Sequence, residues 1–289
     1  MKFCSGLFRV PADEYIEIAK AADEYGWDTL LLSDHVLHPE RIASDYPYHP
    51  SGERPWEAMD DFPDIWVVSG MMAAVTRRLR FMQMVYILPL RDPFSVAKAL
   101  GTAARLSGYR VGLGVGLGWM REEFELLGQV FERRGARSDE MVEVMRKLWS
   151  GQSVEHHGEF YDFDPLCMRP AADGEIPIVV GGNSKLARRR VARVGDGWAP
   201  AFLSHDELRA GLEEIHALRA ELGRGGDPFS LYYTLQNPDD LDEIRQLEDL
   251  GVTHCNATPW GAYGLEAQSL EQRLDGLKRF GDEVIAKRG

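Results

Sequence analysis

Two adjacent polar residues, Asp34 and His35, end the apolar run Leu30-Leu31-Leu32-Ser33. At the end of a strand such side chains face whatever lies beyond it, and an imidazole with an ordinary pKa of about 6.5 can move a proton at neutral pH. His35 therefore reads either as a proton-transfer group or as a histidine that bonds a neighbouring loop, while Asp34 suits orienting better than base chemistry. A second feature is Gly112-Leu113-Gly114-Val115-Gly116-Leu117-Gly118-Trp119. Its alternate glycines bare one strand face, which lets a flat ring or a phosphate approach the backbone or simply accommodates curvature. Trp119 could cap a planar ligand or serve as packing. A third is Ile178-Val179-Val180-Gly181-Gly182-Asn183-Ser184, where a strand runs into a helix. Free N–H groups there, with the positive end of the helix dipole, could hold an anion such as phosphate or form an ordinary capped turn. Arg91 is expected to pair with an acidic neighbour near a helix start rather than to bind an anion.

Other chemistries lack their residues. His156 and His157 adjoin on an expected hairpin and so project to opposite faces, and there is no His-x3-His pair. No Gly-x-Ser-x-Gly elbow occurs. We therefore expect no metal site, and hard chemistry must come from an organic cofactor.

The elements that carry these residues form a repeat. Short aliphatic and β-branched runs, each followed by a helical period, predict strands at 2–8, 29–33, 79–88, 111–116, 176–181, 197–201, 229–235 and 252–257. Helices are expected at 12–25, 63–76, 93–106, 134–149, 184–194, 205–222, 239–250 and 269–286, with Ser184, Asp206 and Asp239 at or near starts. Pro63 and Pro93 suit first turns. Extra length falls after strands 2 and 4, at 36–62 and at 121–170, the latter holding a hairpin near 153–163. Eight βα units in 289 residues, with no linker, describe an α/β fold of the (β/α)8 TIM-barrel type, one domain over 1–289, with working loops after strands 2 and 4.

Composition narrows the partners. A net charge of −13 argues against nucleic acid, and the uncharged stretches 81–90 and 111–120 are too short to cross a membrane. No signal-peptide core precedes Arg9 and Asp13, so a cytoplasmic location is expected. Cys4, Cys167 and Cys255 are scattered and odd in number, which points to buried free thiols rather than disulfides.

Taken in order, Ser33-Asp34-His35-Val36, Leu88-Pro89-Leu90-Arg91-Asp92-Pro93, Leu106-Ser107-Gly108, Gly114-Val115-Gly116-Leu117-Gly118-Trp119, Glu123-Phe124, Arg133-Arg134-Gly135, Leu148-Trp149-Ser150, Gly181-Gly182 and Gly195-Asp196-Gly197-Trp198 resemble the bacterial luciferase-like superfamily. Within it they are similar to oxidoreductases that use the deazaflavin coenzyme F420. The resemblance implies a barrel with the ring of F420, or alternatively FMN, at its C-terminal face. It places His35 beside the reacting carbon, and Met84 and Val85 at a strand 3 bulge, often with a non-proline cis peptide, behind the ring. Leu117, Gly118, Gly181, Gly182 and Asn183 correspond to contacts with the cofactor tail and phosphate. Trp119 stands where sugar-phosphate dehydrogenases have a glutamate acid, so their substrate and proton donor do not carry over. Ala104 and Tyr109 replace the family's usual Asp and second glycine around Leu-Ser-Gly. The implied activity is F420-dependent hydride transfer to or from a small-molecule substrate, with His35 handling the proton. The alternatives are an FMN monooxygenase using dioxygen and a non-catalytic flavin-binding barrel. A homodimer is expected, as is a flavin or F420 reductase as the source of reduced cofactor.

Overall fold

The computed structural model describes residues 1–235, 242–264 and 269–288. In chain order the elements are β1 Lys2–Gly6, α1 Tyr15–Glu24, β2 Thr29–Leu32, α2 Ile65–Val75, β3 Arg80–Gln83, β4 Tyr86–Ile87, α3 Pro93–Leu106, β5 Leu113–Gly116, α4 Arg121–Leu126, α5 Arg134–Trp149, β6 Val154–His157, β7 Asp162–Leu166, β8 Ile178–Gly181, α6 Lys185–Val194, β9 Gly197–Ala199, α7 His205–Glu221, β10 Ser230–Thr234, α8 Glu243–Asp249, β11 His254–Asn256 and α9 Leu270–Phe280.

Nine strand segments hydrogen-bond in the order β3-β2-β1-β11-β10-β9-β8-β5-β4. Every named pair in this sheet is parallel. The expected strand 79–88 is interrupted at Met84–Val85, whose peptide bond is cis, and so appears as β3 and β4. Its first half pairs with β2 and its second with β5, while Phe81 also bridges to Val111 just ahead of β5. The two sheet edges are thus halves of one strand, and the sheet closes as a (β/α)8 barrel.

Alternation along the strands fills both sides of the wall. Phe3, Leu30, Phe81, Val180 and Leu231 belong to the main core shared with the helices, whereas Cys4, Leu31, Met82, Val179, Ala199 and Tyr232 form a separate buried cluster. Towards the N-terminal ends His254 stacks on Tyr232 with ring centroids 4.2 Å apart.

Caps fix where the helices begin. Asp64 and Asp92 accept from N–H groups of α2 and α3, and Ser184 accepts from Ala187 at 3.1 Å. The α7 cap is Ser204, in a reciprocal box with Glu207, so Asp206 lies in the first turn. Asp239 lies outside the described residues. Of the two long insertions, 33–64 is irregular chain at the C-terminal ends of the strands. The other divides into α4, which follows β5, and the β6–β7 hairpin, which follows α5. The hairpin is tied down by Glu140, whose carboxylate accepts from the N–H groups of Glu159, Phe160 and Tyr161. His156 faces Glu140 at 3.2 Å and His157 faces Asp162, on opposite sides as strand neighbours must. Cys4 and Cys255 are buried, but Cys167 is exposed, because β7 lies in this peripheral hairpin.

Candidate active site

The end of β2 is held against strand 3. Met84 donates its N–H to the Leu32 carbonyl at 2.8 Å, and Asp34, next along the mouth, accepts from the Ile87 N–H at 2.8 Å. Arg91 grips the same carboxylate with two nitrogens, at 2.5 and 2.8 Å, and lies over the Tyr86 ring. Arg91 thus pairs with Asp34 at the end of the adjacent strand, and not with Asp92, which caps α3. Both Asp34 oxygens are engaged, which suits a residue that fixes the chain on either side of the Met84–Val85 bulge.

His35 is free of that clamp. Its Nδ1 lies 3.0 Å from Glu123 Oε2, and the two side chains are only 7% and 1% exposed. The other carboxylate oxygen accepts from the N–H groups of Val36 at 2.6 Å and Leu37 at 3.4 Å. A carboxylate only accepts, so Nδ1 carries a proton, and in the neutral ring Nε2 is the nitrogen with the lone pair. Among the described residues no side chain or backbone group bonds Nε2. Glu122 performs the parallel task one residue earlier, accepting from the backbone of Ala43 and Ser44 and from the Ser44 hydroxyl at 2.8 Å. The short helix α4 therefore ties down the whole first part of the insertion through two adjacent glutamates.

Aromatic rings of the insertion surround His35. Phe62 lies 5.1 Å away and Trp56 5.3 Å, with Trp119 at 6.4 Å and His38 at 6.3 Å between ring centroids. Tyr46 joins Trp56 to Trp119. Trp119 accordingly meets other rings at the mouth and is neither isolated nor part of the barrel core. The sequence marks of this cluster are four aromatic residues within 46–62 and a second histidine three places after His35, whereas nothing local marks the reach of Glu123 to His35.

The glycines have a specific occupant. A Cβ on Gly114 would lie 1.7 Å from the Gln83 carbonyl oxygen, and one on Gly116 would lie 2.1 Å from Val85 Cγ2. Gly181 faces the same valine, at 2.7 Å. The bare face at Gly114 and Gly116 admits the bulged strand 3, the accommodating one of the two readings given for it. Gly118 differs: its φ of +73° is in the left-handed region, and a Cβ there would strike Ile87 and Phe124. Beside it, Leu117 is half-buried.

After the neighbouring strand β8, Gly182 has φ +107° and opens onto the start of α6, with the Tyr48 hydroxyl of the insertion above it. Asn183 bonds the backbone of Ala201 at both ends of its amide, donating through Nδ2 at 2.7 Å and accepting at Oδ1 at 2.9 Å. That leaves the first-turn N–H groups of Lys185 and Leu186 without intrahelical acceptors. Among the described residues no group of three or more His, Cys, Asp or Glu is placed to hold a metal ion.

A family model described as luciferase-like monooxygenase matches residues 5–237. The chain belongs to that family. Proteins similar to it include an uncharacterized protein of Mycobacterium tuberculosis, 39% identical over 94% of this chain and 95% of the relative. An F420-dependent glucose-6-phosphate dehydrogenase of Mycolicibacterium gilvum is 29% identical over 95% of this chain and 79% of its own. Among solved structures, monooxygenase RslO1 from Streptomyces bottropensis superposes with a TM-score of 0.77 at 19% identity, over the full length of both chains. The luciferase-like fold is thus shared at that distance, and the cis Met84–Val85 bond sits at the bulge where the resemblance to the family placed it.

Proposed function

We propose that the protein is an F420-dependent oxidoreductase that exchanges hydride with a small organic substrate while His35 exchanges the accompanying proton. The observation that carries this is the His35–Glu123 pair, a buried imidazole with one nitrogen fixed and the other unpartnered at the barrel mouth. The residues present fit a planar, phosphate-bearing cofactor. Gly182 lacks the side chain that would stand over the start of α6, and the first-turn N–H groups there suit a phosphate. Met84, Val85, Leu117, Gly118, Trp119, Gly181, Gly182 and Asn183 would hold it, Asn183 by keeping the β8 and β9 ends together. When bound, F420 supplies two-electron hydride exchange.

The chain's own residues supply position and proton handling. Glu123 holds Nδ1–H, so Nε2 takes a proton from a substrate hydroxyl in the oxidising direction and returns it in the other. The resulting imidazolium is stabilised by the adjacent carboxylate. Asp34 and Arg91 fix the strand 3 bulge, and the aromatic insertion limits water. The F420 dependence of curated relatives such as the Mycolicibacterium gilvum enzyme supports F420 over FMN. An FMN monooxygenase on the same barrel face is the second reading, favoured by the description of the matching family model. Reduced cofactor would come from a separate F420 or flavin reductase. The apolar stripe Val67, Met71 and Val75 on α2, 61%, 53% and 44% exposed, supports a homodimer, which light scattering tests.

Replacing His35 with Ala is expected to lower F420-coupled turnover by about 10²–10⁴-fold and to leave F420 affinity nearly intact. Unchanged turnover would reduce His35 to a structural histidine.

A further inference from the structure

The insertion contains polar atoms that its own packing does not satisfy. Both ring nitrogens of His38 and the indole Nε1 of Trp56 are buried without a hydrogen-bond partner. They belong to rings that form a triangle with His35: His35 to Trp56 is 5.3 Å, His35 to His38 is 6.3 Å and His38 to Trp56 is 6.5 Å. Buried polar atoms are ordinarily paired, and leaving three unpaired in one place costs desolvation without return unless something else bonds them. Phe62, Tyr46 and Trp119 supply apolar faces around the same triangle.

We propose that His38 is the residue that recognises the substrate, hydrogen-bonding the carbonyl or hydroxyl oxygen of an uncharged, ring-bearing molecule held within the aromatic insertion. This rests on the proposed function only in naming that molecule as the partner of hydride transfer. Burial, with Arg54 and His35 nearby, pushes His38 below its ordinary pKa, so the neutral ring can donate from one nitrogen or accept at the other. The aromatic lining of the mouth argues against a sugar. Among the described residues, the segments after β9 and β11, 200–204 and 257–264, contain no Lys, Arg or His. Arg9 and Arg91, which follow β1 and β4, are paired with Asp60 and Asp34, and Arg54 donates through Nε to the Trp56 carbonyl. A molecule carrying many hydroxyls would meet ring faces there that cannot bond them, with Arg54 as the cation beside His38. The start of α6 is an anion site, and the proposed function gives it to the cofactor.

The test uses the intact protein labelled with ¹⁵N, following the Trp56 indole N–H resonance while cyclohexanone or glucose 6-phosphate is added. Cyclohexanone is expected to shift that resonance saturably, and glucose 6-phosphate at equal concentration to leave it in place. His38→Phe is expected to weaken cyclohexanone about five- to tenfold, the loss of one hydrogen bond. His38→Gln, which keeps a donor and an acceptor, is expected to stay within about twofold of wild type. Glucose 6-phosphate binding as tightly as the ketone, His38→Phe binding as well as wild type, or equal losses in both variants would overturn the proposal. An F420 fluorescence titration on the same samples separates the two readings. F420 binding without ketone binding sinks this inference alone, whereas ketone binding without F420 binding sinks the proposed function and leaves the recognition role standing.

Discussion

Changing Glu123 to Gln isolates what the carboxylate does for His35. The side chain is 1% exposed and accepts from Val36 at 2.6 Å, from Leu37 at 3.4 Å and from His35 Nδ1 at 3.0 Å. Glutamine fits the same space and keeps an oxygen for the Val36 amide, but it turns an NH2 group towards Nδ1–H, setting donor against donor. The imidazole escapes by moving its proton to Nε2, which removes the lone pair that a base needs. Hydrogen bonds to a charged group contribute about 1.5–3 kcal/mol and neutral ones about 0.5–1.5, so neutralising this acceptor costs about 1 kcal/mol for each short bond. Two such bonds, with partial relief from the tautomer change, give about 2 kcal/mol, which in a chain of this size lowers the melting temperature by roughly 3 °C. Calorimetry reads the first effect. Long-range ¹H–¹⁵N spectra of the imidazole read the second, as an exchange of protonated and unprotonated nitrogens relative to wild type. A variant that melts with wild type and keeps Nδ1 protonated would refute the assignment of Glu123 as the orienting group.

Further outcomes follow from the packing and the buried histidine. Gly114→Ala places a Cβ 1.7 Å from the Gln83 carbonyl oxygen, a backbone atom, so it is expected to prevent soluble expression or lower the urea midpoint sharply. Gly112→Ala, whose nearest obstacle is the flexible Met82 methyl at 2.5 Å, is expected to be milder, and equal effects would contradict the packing account. Burial lowers the pKa of His254 to about 4 against the opposing pull of Asp28. The unfolded chain therefore takes a proton below pH 6.5 that the folded chain refuses, so stability falls as pH drops from about 6.5 to about 4, by on the order of 2–3 kcal/mol. His254→Gln should flatten that part of the curve in urea midpoints measured across the range, and parallel curves for the two proteins would contradict it.

Which parts of this were legible in the sequence depends on the range of the interactions. Strands such as Ile178–Gly181 announce themselves by local β-branched runs, and His35 by following four apolar or small residues into a loop. Glu123 meets His35 from 88 residues away, so only the closed barrel brings the pair together. The glycines of β5 showed that side chains were missing from one face. They did not show that the Gln83 carbonyl and Val85 fill the space, because that depends on the path of a neighbouring strand. Arg91 was expected to find a local acid and found Asp34 instead, since Asp92 is used as a helix cap. The aromatic insertion carried its signal in composition alone, with no period from which to read an element.

The central claim is that the mouth holds F420 with its phosphate at the start of α6, and it is tested most directly by cofactor affinity. Oxidised F420 and FMN are titrated separately against wild-type protein and Gly182→Val, following quenching of protein fluorescence. Gly182 has φ +107° and only 3.3 Å between an added Cβ and Ala187, so valine both strains the turn and covers the first-turn N–H groups. F420 is predicted to bind wild type more tightly than FMN does and to lose about tenfold or more in the variant. Tighter FMN binding to wild type, or F420 affinity unchanged by Gly182→Val, would contradict the account.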